Sequence, residues 1–299
     1  MQISSNVLDL PSFNFYKMTV LNTRKEVFNY ISSAKNSNKT IGYVPTMGAL
    51  HKGHASLIEQ SVTANNITIV SVFVNPTQFD NASDLDKYPR TLDNDIDLIK
   101  QIDPSIVIFA PTAKELYQNN VASKKYSFDG LEHEMEGKHR EGHFDGVGTV
   151  LDLFFSLIKP TNAYFGEKDF QQLQIVKKLV SKYKLGVNII GCEIFREQSG
   201  LAMSSRNERL SPKGRKEAAF INKTLIEAKE QFNVKSAAKV EEWVTKEFAK
   251  NNNFNLEYVS IANIKTLKPL KRKSKKQQYR IFIAVFIDNI RLIDNIALN

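Results

Sequence analysis

The chain has one cysteine in 299 residues, so no intrachain disulfide can form and a disulfide scaffold is excluded. Cys192 alone favours a reducing compartment and offers no thiolate cluster for a structural zinc. Long apolar runs are also missing, and none could span a bilayer as a helix. The first residues lack the basic-then-apolar order of a secretory signal, so the expected location is cytoplasmic. Residues 1–17 read as a short disordered extension, with Met18 a conceivable native start.

What is present is the composition of a soluble globular protein, 42% apolar and 24% charged. The length accommodates one large domain or two ordinary ones. A net charge of +9 invites a nucleic-acid reading. The excess is concentrated between Lys265 and Arg280, however, with Tyr279 its one aromatic and no RNA-binding motif. It reads as a solvated, mobile loop, and neither a nucleic acid nor a membrane is expected as a partner.

Thr23-Arg24-Lys25-Glu26 is a capping box that opens a helix. Short β-branched or apolar runs at Thr40–Val44, Ile67–Val74, Ile106–Phe109, Ala163–Phe165 and Val187–Cys192 then alternate with helical periodicities. Such alternation predicts βαβ units and a parallel sheet with ligands at the strands' C-terminal ends. After Cys192 the pattern changes. Ser211-Pro212 starts a helix, a second helical stretch follows, and strands are expected at Leu256–Ile261, Arg280–Ile287 and Arg291–Ile293. The expected architecture is α/β over residues 1–193 with a small α+β domain over 194–299.

Five strings carry candidate chemistry. Pro45 to His54 lies between a strand and a helix, where Gly48 and Gly53 allow close backbone approach and the helix N-terminus favours an anion. His51 and His54 can both face one phosphate there. A P-loop is excluded because His54-Ala55 stands where Lys-Ser/Thr is required, and a zinc pair lacks a third ligand. Asn75-Pro76-Thr77-Gln78-Phe79 ends a strand, where Asn75 and Gln78 can read a hydroxyl or carboxylate. Asp84 to Thr91, with Asp93 and Asp95 beyond, offers either Mg²⁺ ligands or charge for a helix's first turn. Gly166-Glu167-Lys168-Asp169-Phe170-Gln171-Gln172 supplies a cation for phosphate, an acceptor for ribose and an amide for substrate. Arg196 to Asn207 holds Met203-Ser204-Ser205-Arg206, whose hydroxyls and guanidinium suit triphosphate oxygens. Near Glu136–Phe144, Gly142 disfavours a helical His139/His143 metal pair, and a loop contributing Arg140 is expected.

In this order and spacing, the strings resemble the pantothenate synthetase (pantoate–β-alanine ligase) family, from about Thr23 to Asp294-Asn295. The histidine turn alone is shared with class I aminoacyl-tRNA synthetases and small nucleotidylyltransferases, and a nucleotidylyltransferase acting on a phosphorylated metabolite is the alternative. The resemblance implies a Rossmann-like domain with a C-terminal lid, ATP and Mg²⁺ as requirements, and a homodimer. It implies that pantoate is adenylated and that β-alanine then displaces AMP. By motif position, Met47, Gly48, Ala49, Leu50, His51, Lys52, Gly53 and His54 should contact ATP, with His54 the acid or electrostatic catalyst. Gly166, Glu167, Lys168 and Asp169 should meet ribose and phosphates, and Phe195 the adenine through backbone. Met203, Ser204, Ser205 and Arg206 should close over the triphosphate. Gln78 and Gln172, with Asn75, Tyr88 and Arg140, should serve pantoate and β-alanine, and Asp95 is the candidate Mg²⁺ ligand. Departures from the family pattern are Gln198-Ser199 in place of Ala-Asp, Phe195 where valine is common, and Glu141 for a usual proline.

Overall fold

The computed structural model describes residues 18–35, 38–79 and 82–299. The expectation about residues 1–17 lies outside them.

The chain runs β1 (Thr19–Leu21), α1 (Arg24–Lys35), β2 (Ile41–Thr46), α2 (Lys52–Ala64), β3 (Ile67–Val72), α3 (Ala82–Asp86), α4 (Leu92–Ile102), β4 (Val107–Phe109) and α5 (Ala113–Tyr117). It continues with α6 (Glu136–His139), α7 (His143–Ile158), β5 (Asn162–Gly166), α8 (Phe170–Tyr183) and β6 (Asn188–Cys192). Then come α9 (Pro212–Val234), α10 (Ala237–Ala249), β7 (Phe254–Asn263), β8 (Tyr279–Ile287) and β9 (Ile290–Ala297). The capping box forms as read, with Thr23 Oγ1 accepting from Glu26 N (3.2 Å) and the Glu26 carboxylate accepting from Thr23 N (2.9 Å).

Six strands form a parallel sheet in the order β1-β4-β3-β2-β5-β6. Alternation along the strands divides its two faces. Ile41 and Tyr43 pack with Phe154 and Phe155 of α7, while Val44 joins Leu57 and Ile58 of α2 and Ile99 of α4. The strand order reverses between β2 and β5, and a crevice for ligands opens at the C-terminal ends of strands at such a point. The turn after β2 and the loop after β5 both leave from there.

β7, β8 and β9 make an antiparallel sheet. Ile281, Ile283 and Val285 of β8 pack with Ile221 and Leu225 of α9 and Val240 and Val244 of α10, forming a second core. On the other face, Phe282 meets Phe170 of α8 (5.9 Å between ring centres), so β8 is covered on both sides. Most of the lysine-rich stretch is the exposed connection between β7 and β8, but its last residues, Tyr279 and Arg280, are buried at the start of β8 and are not part of a solvated loop. β1, three residues long, pairs with β4 and was not expected.

Candidate active site

The turn after β2 is held from behind by Asp95 of α4, whose carboxylate accepts from the backbone N–H of Ala49 (3.1 Å) and Leu50 (2.7 Å). Gly48 has φ +81°, and a Cβ there would sit 3.0 Å from an Asp95 oxygen. At the start of α2 the two histidines replace the usual capping side chains. His51 Nδ1 accepts from Gly53 N (3.1 Å), and His54 Nδ1 accepts from His51 N (3.3 Å). With both Nδ1 atoms accepting, each neutral ring carries its proton on Nε2. The rings lie 4.0 Å apart at 30°. Burial, then the charge of Lys168, lowers the His51 pKa to about 4. Burial, then His51 and Lys168, push His54 well below the usual histidine range. Both rings are therefore neutral N–H donors at pH 7 in the free cleft.

A cavity of about 660 Å³ opens in front of them, within the range that takes a small-molecule ligand. Met47, His51, Gly53 and His54 line it from β2 and α2, and Gly166, Lys168, Asp169 and Gln172 from the loop after β5. Phe195, Met203, Ser204, Ser205 and Arg206 line it from the segment between β6 and α9. The Phe195–Met203 segment folds back on itself, with Met203 N donating to Phe195 O (3.0 Å) and Glu197 N to Leu201 O (2.9 Å). Arg206 reaches Asp84 of α3 (2.9 Å), and the Tyr88 and Ser205 hydroxyl oxygens are 3.5 Å apart.

At the other end, the turn after β3 presents Gln78. Asn75 is buried behind it, accepting from Tyr117 OH (2.7 Å) and donating to Gln78 Oε1 (3.1 Å) and Gly146 O (3.2 Å). Gln78 Nε2 lies 3.1 Å from Met47 Sδ, and the Gln78 backbone carbonyl accepts from His143 Nδ1–H (2.8 Å) and Arg140 (3.4 Å). Gln172 faces the same cavity, and no side chain or backbone group among the described residues hydrogen-bonds its amide.

The sequence model of the family described as Pantoate-beta-alanine ligase matches residues 19–297. The chain belongs to the pantoate–β-alanine ligase family. It is 54% identical over 281 residues to the pantothenate synthetase of Flavobacterium psychrophilum, covering 94% of this chain and 100% of that one. It is 52% identical to that of Christiangramia forsetii, with coverage of 94% and 100%. The crystal structure of pantothenate synthetase from Thermus thermophilus superposes with a TM-score of 0.86 at 35% identity, covering 94% of this chain and 99% of that one. The Francisella tularensis pantoate–β-alanine ligase, a structure described as complexed with beta-gamma ATP and beta-alanine, gives 0.77 at 34% identity, with coverage of 94% and 98%.

Several residues expected to contact ligand do not line the cavity of this member of the pantoate–β-alanine ligase family, or line it with their polar groups already engaged. Asp95 does not line the cavity: its carboxylate accepts from two backbone N–H groups and braces the turn. Gly48, Ala49 and Leu50 form the back of that turn, Lys52 is exposed, and Glu167 bonds Arg280 (2.7 Å); none of them lines the cavity. Asn75 lines it, but its amide is committed to neighbours on both sides. The departures from the family pattern are tolerable in place. Gln198 and Ser199 are exposed at a tip where Ser199 Oγ accepts from Leu201 N (3.4 Å), and Glu141 is exposed.

Sequence reasoning missed several buried ties around the cavity. Glu136, buried, accepts from Arg291 (2.8 and 2.9 Å) and Tyr258 OH (2.8 Å), and the Arg291 guanidinium holds its pKa down to about 2. Gln171, next to the expected Gln172, is turned inward, donating to Leu131 O (2.9 Å) and Glu134 O (2.8 Å). Position beside a motif was the only available signal for these.

Proposed function

We propose that this chain condenses pantoate with β-alanine at the expense of ATP, through a pantoyl adenylate, releasing pyrophosphate and AMP. The observation that carries the reading is the meeting of two neutral histidine N–H donors, the Lys168 cation and the Ser204–Arg206 loop on one cavity that also holds Gln78 and Gln172. The ATP and β-alanine named for the Francisella tularensis structure support the choice of co-substrates.

In the first half-reaction a pantoate carboxylate oxygen forms a bond to the α-phosphorus and the bond to the bridging oxygen of pyrophosphate breaks. Negative charge grows on the phosphoryl oxygens and the leaving group. His54 and His51 donate from Nε2 toward that charge, and Lys168 adds a full positive charge. Arg206, with Ser204 and Ser205, holds the departing pyrophosphate, exchanging its Asp84 partner for phosphate. Gln78 and Gln172 fix pantoate so that its carboxylate is in line, and the rigid Asn75 network keeps Gln78 in place. In the second half-reaction the β-alanine amine attacks the acyl carbon, AMP leaves, and the amine's surplus proton is released. Tyr88 and Arg140 belong to the wall on which these substrates rest. Mg²⁺ would arrive on the triphosphate, where substrate phosphates and water supply most of its oxygen ligands.

Residues up to 193 act as the nucleotide- and acid-binding domain and 194–299 as the lid, in a cytoplasmic homodimer. AMP formation that requires both pantoate and β-alanine is the expected result with purified protein; AMP formed without pantoate contradicts it. His54→Ala should lose about 100-fold or more of the adenylation rate with its fold intact, as removal of a preorganised donor does.

A further inference from the structure

Behind the Lys168 loop lies a buried polar relay supplied by the lid. Asn295 of β9 is 1% exposed, and its Nδ2 donates to the carbonyls of both Glu167 (3.0 Å) and Lys168 (2.9 Å). Its Oδ1 accepts from Arg280, which stacks over the Phe170 ring (4.2 Å) and also bonds the Glu167 carboxylate (2.7 Å). Both N–H donors of this amide are thus taken by backbone carbonyls, and its oxygen is engaged by Arg280. The adjacent Asp294, 3% exposed, takes Arg196 in a bidentate pair (2.7 and 2.9 Å), and Arg196 in turn donates to Gly200 O (3.0 Å) in the turn that precedes Met203–Arg206. Successive side chains on a strand point to opposite faces, so two neighbouring residues of β9 reach two separate loops.

We infer that Asn295 is a positioning residue for adenylation, setting the Lys168 backbone and, with Asp294, holding the Lys168 loop in register with the Arg206 loop. The inference rests on the proposed reading of these loops as the ATP clamp. Asn295→Asp tests it: the acceptor toward Arg280 survives, but an oxygen replaces the donor that faces two carbonyls. By the sensitivity of catalysis to ångström-scale misplacement, pantoate-dependent ATP–pyrophosphate exchange should fall about 10- to 100-fold in kcat, a larger change than in KM for pantoate, because Gln78, one of the two amides that hold the acid, lies at the far end of the cavity. ATP binding followed by calorimetry supplies the coupling: Asn295→Asp should weaken it about 10-fold in the wild-type background and less than about 2-fold beside Lys168→Ala. An equal loss in both backgrounds, or an unchanged kcat, overturns the inference. Should Asn295→Asp not fold, Asn295→Ser carries the same cycle. Failure of the wild-type protein to exchange or to bind ATP would refute the functional reading itself, a result distinct from either.

Discussion

His51→Asn separates the titration of the histidine turn from its structural role, because asparagine at a helix N-cap can still accept from the Gly53 N–H. In the free protein His51 has a pKa of about 4, against 6.5 for an unperturbed ring. Since the folded pKa is depressed, protons bind the unfolded chain first: stability is complete above pH 6.5 and is lost as pH falls toward 4. Linkage between those two values gives a loss of about 2 kcal/mol from His51 alone between pH 7 and pH 5. His54 shifts in the same direction, partly because of His51, so the variant relieves some of its share as well. Glu136, with a pKa of about 2, titrates below this window. Urea denaturation at the two pH values, without nucleotide, should show the wild type losing about 2 kcal/mol more than His51→Asn. Bound pyrophosphate should shrink the difference, since an anion favours the charged ring. Equal losses in the two proteins, without ligand, would refute the claim that the free cleft keeps this imidazole neutral.

Glu136→Gln breaks the buried pair with Arg291 and should cost about 3 kcal/mol at neutral pH. Because the Glu136 pKa is depressed, its contribution is present above pH 4.5 and lost toward pH 2, so the variant's acid limb should be flatter; an unchanged limb contradicts this. Asp95→Asn should lower stability by about 1–3 kcal/mol and slow exchange with an unaltered Mg²⁺ requirement. A raised Mg²⁺ requirement at unchanged stability would restore the metal role. In Gly146→Ala the new Cβ would lie 2.2 Å from Thr77 O and 2.7 Å from Gln78 Cα, backbone that cannot swing aside. Overpacking there should cost about 1–3 kcal/mol and raise KM for pantoate more than KM for ATP; unchanged melting and KM values contradict it.

The parallel sheet was legible because Ile67–Val72 and its counterparts are dense β-branched runs set between helical periodicities. The histidine turn, Gln78, Lys168 and Ser204–Arg206 were legible because each sits in a local string. What escaped was chemistry that depends on distant pairs. Glu136 meets Arg291 across 155 positions, and Asn295 meets Lys168 across 127; nothing local marks either. Asp95 shows the intermediate case. Its place in a helix's first turn was readable, but its acceptance of the Ala49 and Leu50 N–H groups 46 and 45 residues away was not. A different limit hid the capping by His51 and His54: its contacts are local, but histidine at those positions is not the residue that capping rules expect.

The most direct test of the central claim is ATP–pyrophosphate exchange in the presence of Mg²⁺ with pantoate added or withheld, before any β-alanine is supplied. The account predicts labelled pyrophosphate entering ATP only when pantoate is present, because the acid must attack the α-phosphorus before pyrophosphate can leave. Exchange that proceeds without pantoate, or none with it in folded protein, contradicts the account.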